Sequence, residues 1–177
     1  TRLYRNTYKM FASNGILFNH ESPWRSENFV TKKIVNGLVD IKFGLRDKIK
    51  LGNLYSKRDW GYAKDYVEGM WKILQNKKAD DFVLATNRSI SVKNFINLVL
   101  KKLKIKGSWK GRGLKEVYVY KKKIIIEIDK KYFRPAEVHF LKGDFSKAKK
   151  NLRWEPNTNI SKLADIMLKY EFDKIYK

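Results

Sequence analysis

A chain of 177 residues, 43% apolar, 14% aromatic and 33% charged, has the size of one packed domain or of one lobe of a larger molecule. That apolar share excludes intrinsic disorder, and the absence of Cys excludes disulfides and thiolate metal sites. No apolar run has the length of a membrane span and nothing resembles a signal peptide, so a cytoplasmic protein without a membrane partner is expected.

Forty Lys and Arg against eighteen Asp and Glu give a formal charge of +22 and a pI near 10.0. A surface this basic suits a phosphate polymer, whose counterions it would release. Two features favour a solvated surface of drifted composition instead. Lys outnumbers Arg 31 to 9, whereas phosphate and base recognition draws on the planar guanidinium fork. The Lys residues are also spread along the whole chain, among ordinary apolar periodicity. Nucleic acid is therefore not the expected partner.

The chain opens on Thr1 and reads at once as the end of a helix over residues 1–9, as a piece of a longer chain would. Met10–Asn19 is predicted as a buried strand carrying Phe11, Ile16, Leu17 and Phe18, and His20–Arg25 as a loop interrupted by Pro23. Val30, Ile34, Val35, Leu38 and Val39 keep helical spacing between Glu27 and Phe43, with Gly44 as the stop. Ile49–Leu51 is a short strand running into a Gly52-Asn53 turn. Asp65–Asn76 reads as a helix with Tyr66, Val67, Met70, Trp71 and Leu74 on its buried stripe. Phe82–Ala85 follows as a strand. Ser91 then caps a helix whose buried face is Val92, Phe95, Ile96, Val99, Leu100 and Leu103. Val117–Tyr120 and Ile124–Ile128 can pair across Lys121–Lys123. Ser146–Leu152 and Ser161–Tyr170 are the last helices, separated by Trp154–Pro156. Strands alternating with helices give an α/β class.

Several motifs do not hold up. Gly111-Arg112-Gly113 has Glu116 where a dinucleotide loop needs its third glycine, and it does not join a strand to a helix. His20 and His139 have no third ligand spaced near them, so no metal site is expected. Three polar clusters remain. Asn19-His20-Glu21 follows an apolar strand, where ligands bind in α/β sheets. Lys57-Arg58-Asp59-Trp60-Gly61 and Tyr132-Phe133-Arg134-Pro135-Ala136-Glu137 each set Arg beside aromatic rings, a combination that grips a diphosphate and stacks a base. Taken singly, each residue is as readily a salt bridge, a cap or a loop anchor.

Asn14-Gly15-Ile16-Leu17-Phe18-Asn19-His20-Glu21-Ser22-Pro23, Phe29-Val30-Thr31-Lys32-Lys33-Ile34, Leu51-Gly52-Asn53, Lys57-Arg58-Asp59-Trp60-Gly61, Ala63-Lys64-Asp65-Tyr66-Val67 and Tyr132-Phe133-Arg134-Pro135-Ala136-Glu137 occur in that order. Asp81-Phe82-Val83-Leu84-Ala85-Thr86 and Leu152-Arg153-Trp154-Glu155-Pro156 fit the same series. In this set of strings, from about Arg2 to the C-terminus, the sequence resembles the GDP-mannose 4,6-dehydratase family.

The resemblance implies the C-terminal part of an NAD(P)-binding Rossmann fold plus a smaller mixed α/β substrate-binding domain. Residues 1–26 and about 65–104 would belong to the first, and 27–64 and about 105–177 to the second. It implies NADP as cofactor, met by His20 and Arg25, and GDP-mannose as substrate, met by Asn19, Lys33, Arg58, Arg134 and Glu137. The catalytic Thr, Glu, Tyr and Lys of the family lie upstream of the matching stretch, so no residue here is expected to be catalytic and the chain alone is expected to be inactive. A homo-oligomer, dimer or tetramer, is implied for the full-length protein. The sequence departs from the family's Pro-Arg-Arg-Gly at Pro23-Trp24-Arg25-Ser26, a loop that in the family reaches the cofactor and a neighbouring subunit. Tyr55, Lys130, Phe145 and Arg153 are further departures, at surface or turn positions. Two alternatives stand beside this reading: a related GDP-sugar reductase or epimerase, and a non-catalytic module that binds a GDP-sugar or a polyanion.

Overall fold

The computed structural model describes residues 1–133 and 136–176, which group into two compact units. The first comprises 1–22, 58–89 and 141–163, the second 23–57, 90–140 and 164–177. These divisions differ from the expected segments. The helix after Ser91 belongs to the second unit because its apolar face is needed there, and 141–163 belongs to the first because Trp154 is needed in its core.

In the first unit, helix α1 (Arg2–Tyr8) leads to β1 (Gly15–Leu17) and β2 (Asn19–Glu21). Strand β1 pairs in parallel with β6 (Phe82–Leu84), and β2 pairs in parallel with β5 (Trp60–Tyr62). Helices α3 (Ala63–Leu74) and α5 (Ser146–Leu152) complete the unit. Its core joins Tyr66 and Ile73 of α3, Phe82 and Leu84 of β6, Ala148 and Leu152 of α5, and Trp154. Trp154 Nε1 donates to the carbonyl of Asp65 at 2.8 Å. The Asp65 carboxylate accepts from the amides of Asn157 and Thr158 at 3.1 and 2.9 Å, so the start of α3 is tied to the segment after α5.

Two expectations fail in this unit. The apolar run Met10–Asn19 gives only the short β1, followed by a second strand where a loop was expected, and Phe11 and Ile16 are exposed. The predicted stripe of α3 is turned away from the core by about a third of a turn, with Tyr66 alone remaining inward. Asp65, Tyr66, Gly69 and Ile73 face inward, while Val67, Met70, Trp71 and Leu74 are exposed. Close approach sets this rotation. A β-carbon on Gly69 would lie 2.7 Å from Leu84 Cδ1 and 3.0 Å from the Trp154 ring, so glycine there lets α3 lie close on both.

The second unit is built on a four-stranded sheet in the order β3 (Ile49–Leu51), β10 (Lys123–Ile128), β9 (Val117–Tyr120), β8 (Ser108–Lys110). The β3–β10 pair is parallel and the others are antiparallel. Helices α2 (Val30–Lys42) and α4 (Val92–Lys102) pack together, burying Ile34, Val35, Leu38 and Val39 with Phe95, Ile96, Val99 and Leu100. Ser91 caps α4 as expected, its hydroxyl accepting from the amide of Asn94 at 3.1 Å. Gly44 ends α2 with φ 75°, donating its amide to the Ile41 carbonyl. The remaining elements are β4 (Lys57–Arg58), β7 (Ile90–Ser91) and α6 (Ile160–Ile175), and α6 is longer than its sequence periodicity indicated. No helix among the described residues is long and apolar enough to cross a membrane.

Candidate functional site

In the first unit, Asn19 and His20 lie just past the carboxyl end of β1, in register with Trp60 and Gly61 of β5. Arg58 stands two residues before Trp60 and is half-buried. The pairing thus gathers three of the expected residues from two strings about forty positions apart in sequence. Asp59, wholly buried, fixes this corner. One carboxylate oxygen accepts from the Thr86 amide at 2.9 Å and the Thr86 hydroxyl at 2.6 Å, and the other accepts from the Gly143 amide at 3.1 Å. Thr86 follows the carboxyl end of β6, so Asp59 braces the strand ends where parallel sheets hold ligands.

His20 Nδ1 is 2.9 Å from the carbonyl oxygen of Phe18, which can only accept, so Nδ1 carries a proton. The ring rests against Tyr66, centroids 5.2 Å apart. The Tyr66 hydroxyl is buried and has no hydrogen-bond partner among the described residues. Burial, with the Asp59 and Asp65 carboxylates nearby, raises its pKa well above the ordinary phenolic value. Gly61 makes room for it: a β-carbon there would meet the Tyr66 ring at 2.3 Å.

In the second unit, Glu137 accepts from the Ser56 hydroxyl at 2.8 Å. Lys33, on α2, holds its ammonium 3.6 Å above the centre of the Tyr132 ring. The turn carrying Tyr132 is pinned in its place. Asp129 donates its amide to the Leu51 carbonyl at 2.9 Å, and a β-carbon at Gly52 would lie 2.4 Å from the Tyr132 carbonyl oxygen. Arg25 stacks its guanidinium 3.4 Å from the centre of the Phe29 ring. Arg134 lies outside the described residues.

Asp59 and Tyr132 stand within the expected clusters and Tyr66 on an expected apolar stripe, but none of them, nor Thr86, is among the expected site residues. A buried acid between Arg58 and Trp60 was the available signal for Asp59, because an acid flanked by a cation and a large ring needs donors of its own. Nothing in the sequence marked Thr86. Among the described residues no group of three or more His, Asp or Glu is placed to hold a metal ion. Each unit thus carries cationic and hydrogen-bonding side chains: Asn19, His20 and Arg58 in the first, Arg25, Lys33 and Glu137 in the second.

The family model described as GDP-mannose 4,6 dehydratase matches residues 1–167. The chain is 46% identical over 176 residues to the GDP-mannose 4,6 dehydratase of Drosophila melanogaster, covering 98% of this chain and 45% of that protein. It is 48% identical over 165 residues to GDP-mannose 4,6 dehydratase 1 of Arabidopsis thaliana, covering 93% and 42%. With the human GDP-mannose 4,6 dehydratase it shares 46% over 167 residues, covering 93% and 45%. The chain therefore spans about half the length of the curated relatives it matches. Among solved structures it resembles RMD from Pseudomonas aeruginosa complexed with NADPH, with TM-score 0.79 at 16% identity over 97% of this chain and 52% of that one. It also resembles the dTDP-glucose 4,6-dehydratase of Bacillus anthracis in complex with NAD, with TM-score 0.75 at 15% identity over 98% and 49%. At these identities the structural likeness establishes the fold, that of the NAD(P)-binding Rossmann dehydratases and epimerases. The expected α/β class is thereby confirmed, and by its sequence the chain belongs to the GDP-mannose 4,6-dehydratase family.

Proposed function

We propose that the chain serves a GDP-mannose 4,6-dehydratase, a lyase that converts GDP-mannose to GDP-4-keto-6-deoxymannose and water in the cytoplasm. The observation that carries this reading is the β2–β5 pairing, which sets Asn19 and His20 beside the Arg58-Asp59 corner at the strand ends. Arg58 and Arg134 neutralise the diphosphate, Arg by a two-pronged grip, while Lys33 adds a point charge held in place by Tyr132. Glu137 and Asn19 meet sugar or ribose hydroxyls.

His20 and Arg25 meet NADP, which when bound accepts a hydride from C4 of the sugar and returns one to C6. The residues present fit such a group. The orphaned Tyr66 hydroxyl beside His20 is a buried donor awaiting an acceptor, and the bond that Nδ1 makes to the Phe18 carbonyl fixes the His20 ring. None of the chain's residues is assigned to proton transfer on the sugar, so the 177 residues bind ligands without turning them over. The working protein is a homo-oligomer, with the Pro23–Ser26 loop near a neighbouring subunit.

Titration calorimetry of the chain with GDP-mannose and UDP-glucose tests the reading. GDP-mannose should bind more tightly, and Arg58→Ala should weaken it at least about tenfold. Equal affinity for both nucleotides, with steep loss in salt for any polyanion, would establish the polyanion-binding alternative instead.

A further inference from the structure

Lys32 and Glu171 form an ion pair whose side chains are each only 4% exposed, joining α2 to α6 across 139 positions of sequence. The Lys32 ammonium makes a second hydrogen bond, 2.6 Å to the carbonyl oxygen of Pro23, and faces the Tyr170 ring at 4.8 Å from its centre. Each of its three donors is thus directed at a carboxylate, a carbonyl or a ring face, and Glu171 has Lys174 at 3.5 Å as a second cation.

Burying such a pair confers little net stability. An apolar pair of similar volume is often as stable or more so, because two charges must be stripped of water to make the bridge. What the charge accomplishes here is reach. Pro23 begins the short loop Pro23-Trp24-Arg25, and Pro23 itself is buried. Ring contacts also lie along that loop. Trp24 sets its ring edge-on to Tyr170 at 6.0 Å, and Arg25 lies over Phe29 at 3.4 Å. Trp24 and Phe29 are both exposed, whereas Lys32 is buried. With it, the loop is fastened at its root to a buried charge.

We propose that the Lys32–Glu171 pair is a positioning device: it fixes the Pro23 carbonyl and so sets the direction in which Arg25 is presented. The purpose of that presentation rests on the reading that Arg25 meets the cofactor. Lys32 and Glu171 touch neither cofactor nor substrate in this scheme and act through the loop. The neighbouring Lys33, on another face of α2 and directed to Tyr132, has its own separate task.

The test compares the wild-type 177-residue chain with Lys32→Met/Glu171→Leu, Lys32→Arg, Arg25→Ala, and the first of these combined with Arg25→Ala. The apolar double variant should melt at or above the wild-type temperature, so that any change at the loop is separated from a loss of global stability. Hydrogen exchange of the Trp24–Phe29 amides, read without nucleotide, should quicken about tenfold or more in that variant while α2 and α6 stay protected, and Lys32→Arg should restore most of the protection. NADPH affinity, followed by its fluorescence, should fall about tenfold in the apolar variant and in Arg25→Ala, with no further loss when they are combined. Unchanged exchange at Trp24–Phe29, or additive losses of NADPH affinity, would overturn the positioning role. A wild-type chain that shows no NADPH affinity would instead overturn the cofactor role of Arg25. Should the apolar variant fail to fold, Glu171→Gln keeps the shape and an acceptor, and the same exchange criterion decides.

Discussion

Asp59 and Asp81 show how single carboxylates organise the first unit. Asp59 satisfies three donors from two other segments in a place without water, so its removal leaves the Thr86 and Gly143 amides and the Thr86 hydroxyl unpaired. Asp59→Ala should cost about 2–4 kcal/mol in denaturant titrations, in line with the loss of several buried hydrogen bonds, and a cost near zero would mean that water or relaxation replaces the carboxylate. Asp81 accepts from both arms of Arg5 at 2.8 and 3.2 Å and from the Asn14 amide and side chain at 3.1 and 2.9 Å. The Arg5 bond, then those of Asn14, hold its pKa well below the ordinary 3.8. A group depressed in the folded state contributes stability in full above its unfolded pKa and loses it as pH falls toward its folded value. The stability gap between wild type and Asp81→Asn should therefore be constant from neutral pH down to about pH 5 and shrink only below about pH 4. Thermal melts across that range check it, and a gap that closes near neutrality would implicate another group.

At the scale of elements, the β9–β10 hairpin is the clearest case of a correct pattern with the wrong turn chemistry. Lys121 and Lys122 both sit in the left-handed region, at φ 46° and 64°. Two-residue turns of this hand match the strand twist and are normally made by Asn-Gly, because a β-carbon is crowded there. Lys121→Asn/Lys122→Gly should stabilise the chain by about 1 kcal/mol and raise its melting temperature by a few degrees. No change would mean that the turn relaxes in solution. Helix α3 teaches the complementary lesson. Its apolar spacing located a helix correctly but mislaid its inward face, since Gly69 and Asp65, neither hydrophobic, share the contact surface with Tyr66 and Ile73. A periodicity argument weighs only apolar residues and cannot register that a missing side chain is what allows two elements to meet.

For the whole molecule, charge is the dominant long-range force. From Lys101 to Lys131 there are twelve Lys or Arg against three acidic residues, all in the second unit. Lys102 of this stretch is paired with Asp165, and its Glu127 already serves Lys48 and Lys50, so the excess remains. Self-repulsion of that excess opposes folding and is screened by salt. The melting temperature should rise by several degrees between about 0.02 M and about 0.3 M NaCl. A fall would show that the ion pairs contribute more than the repulsion removes.

The sequence by itself determined the α/β class, the positions of α2, α4, α5, β3 and the β9–β10 hairpin, and the family. Each of these rests on neighbours in the chain or on strings read in order: Ser91 caps α4 through its own third residue onward, and Gly44 ends the helix it follows. The strings also marked Asn19, His20 and Arg58 as candidates. Only the tertiary structure decided that β2 is a strand, because three polar residues acquire that form from pairing with Trp60–Tyr62 and not from their own preference. It alone decided that Asp59 would brace Thr86 and Gly143, and that Lys32 would find Glu171. Those contacts join segments from 27 to 139 positions apart, and what stabilises them is burial and exclusion of water, which no local pattern in the chain encodes.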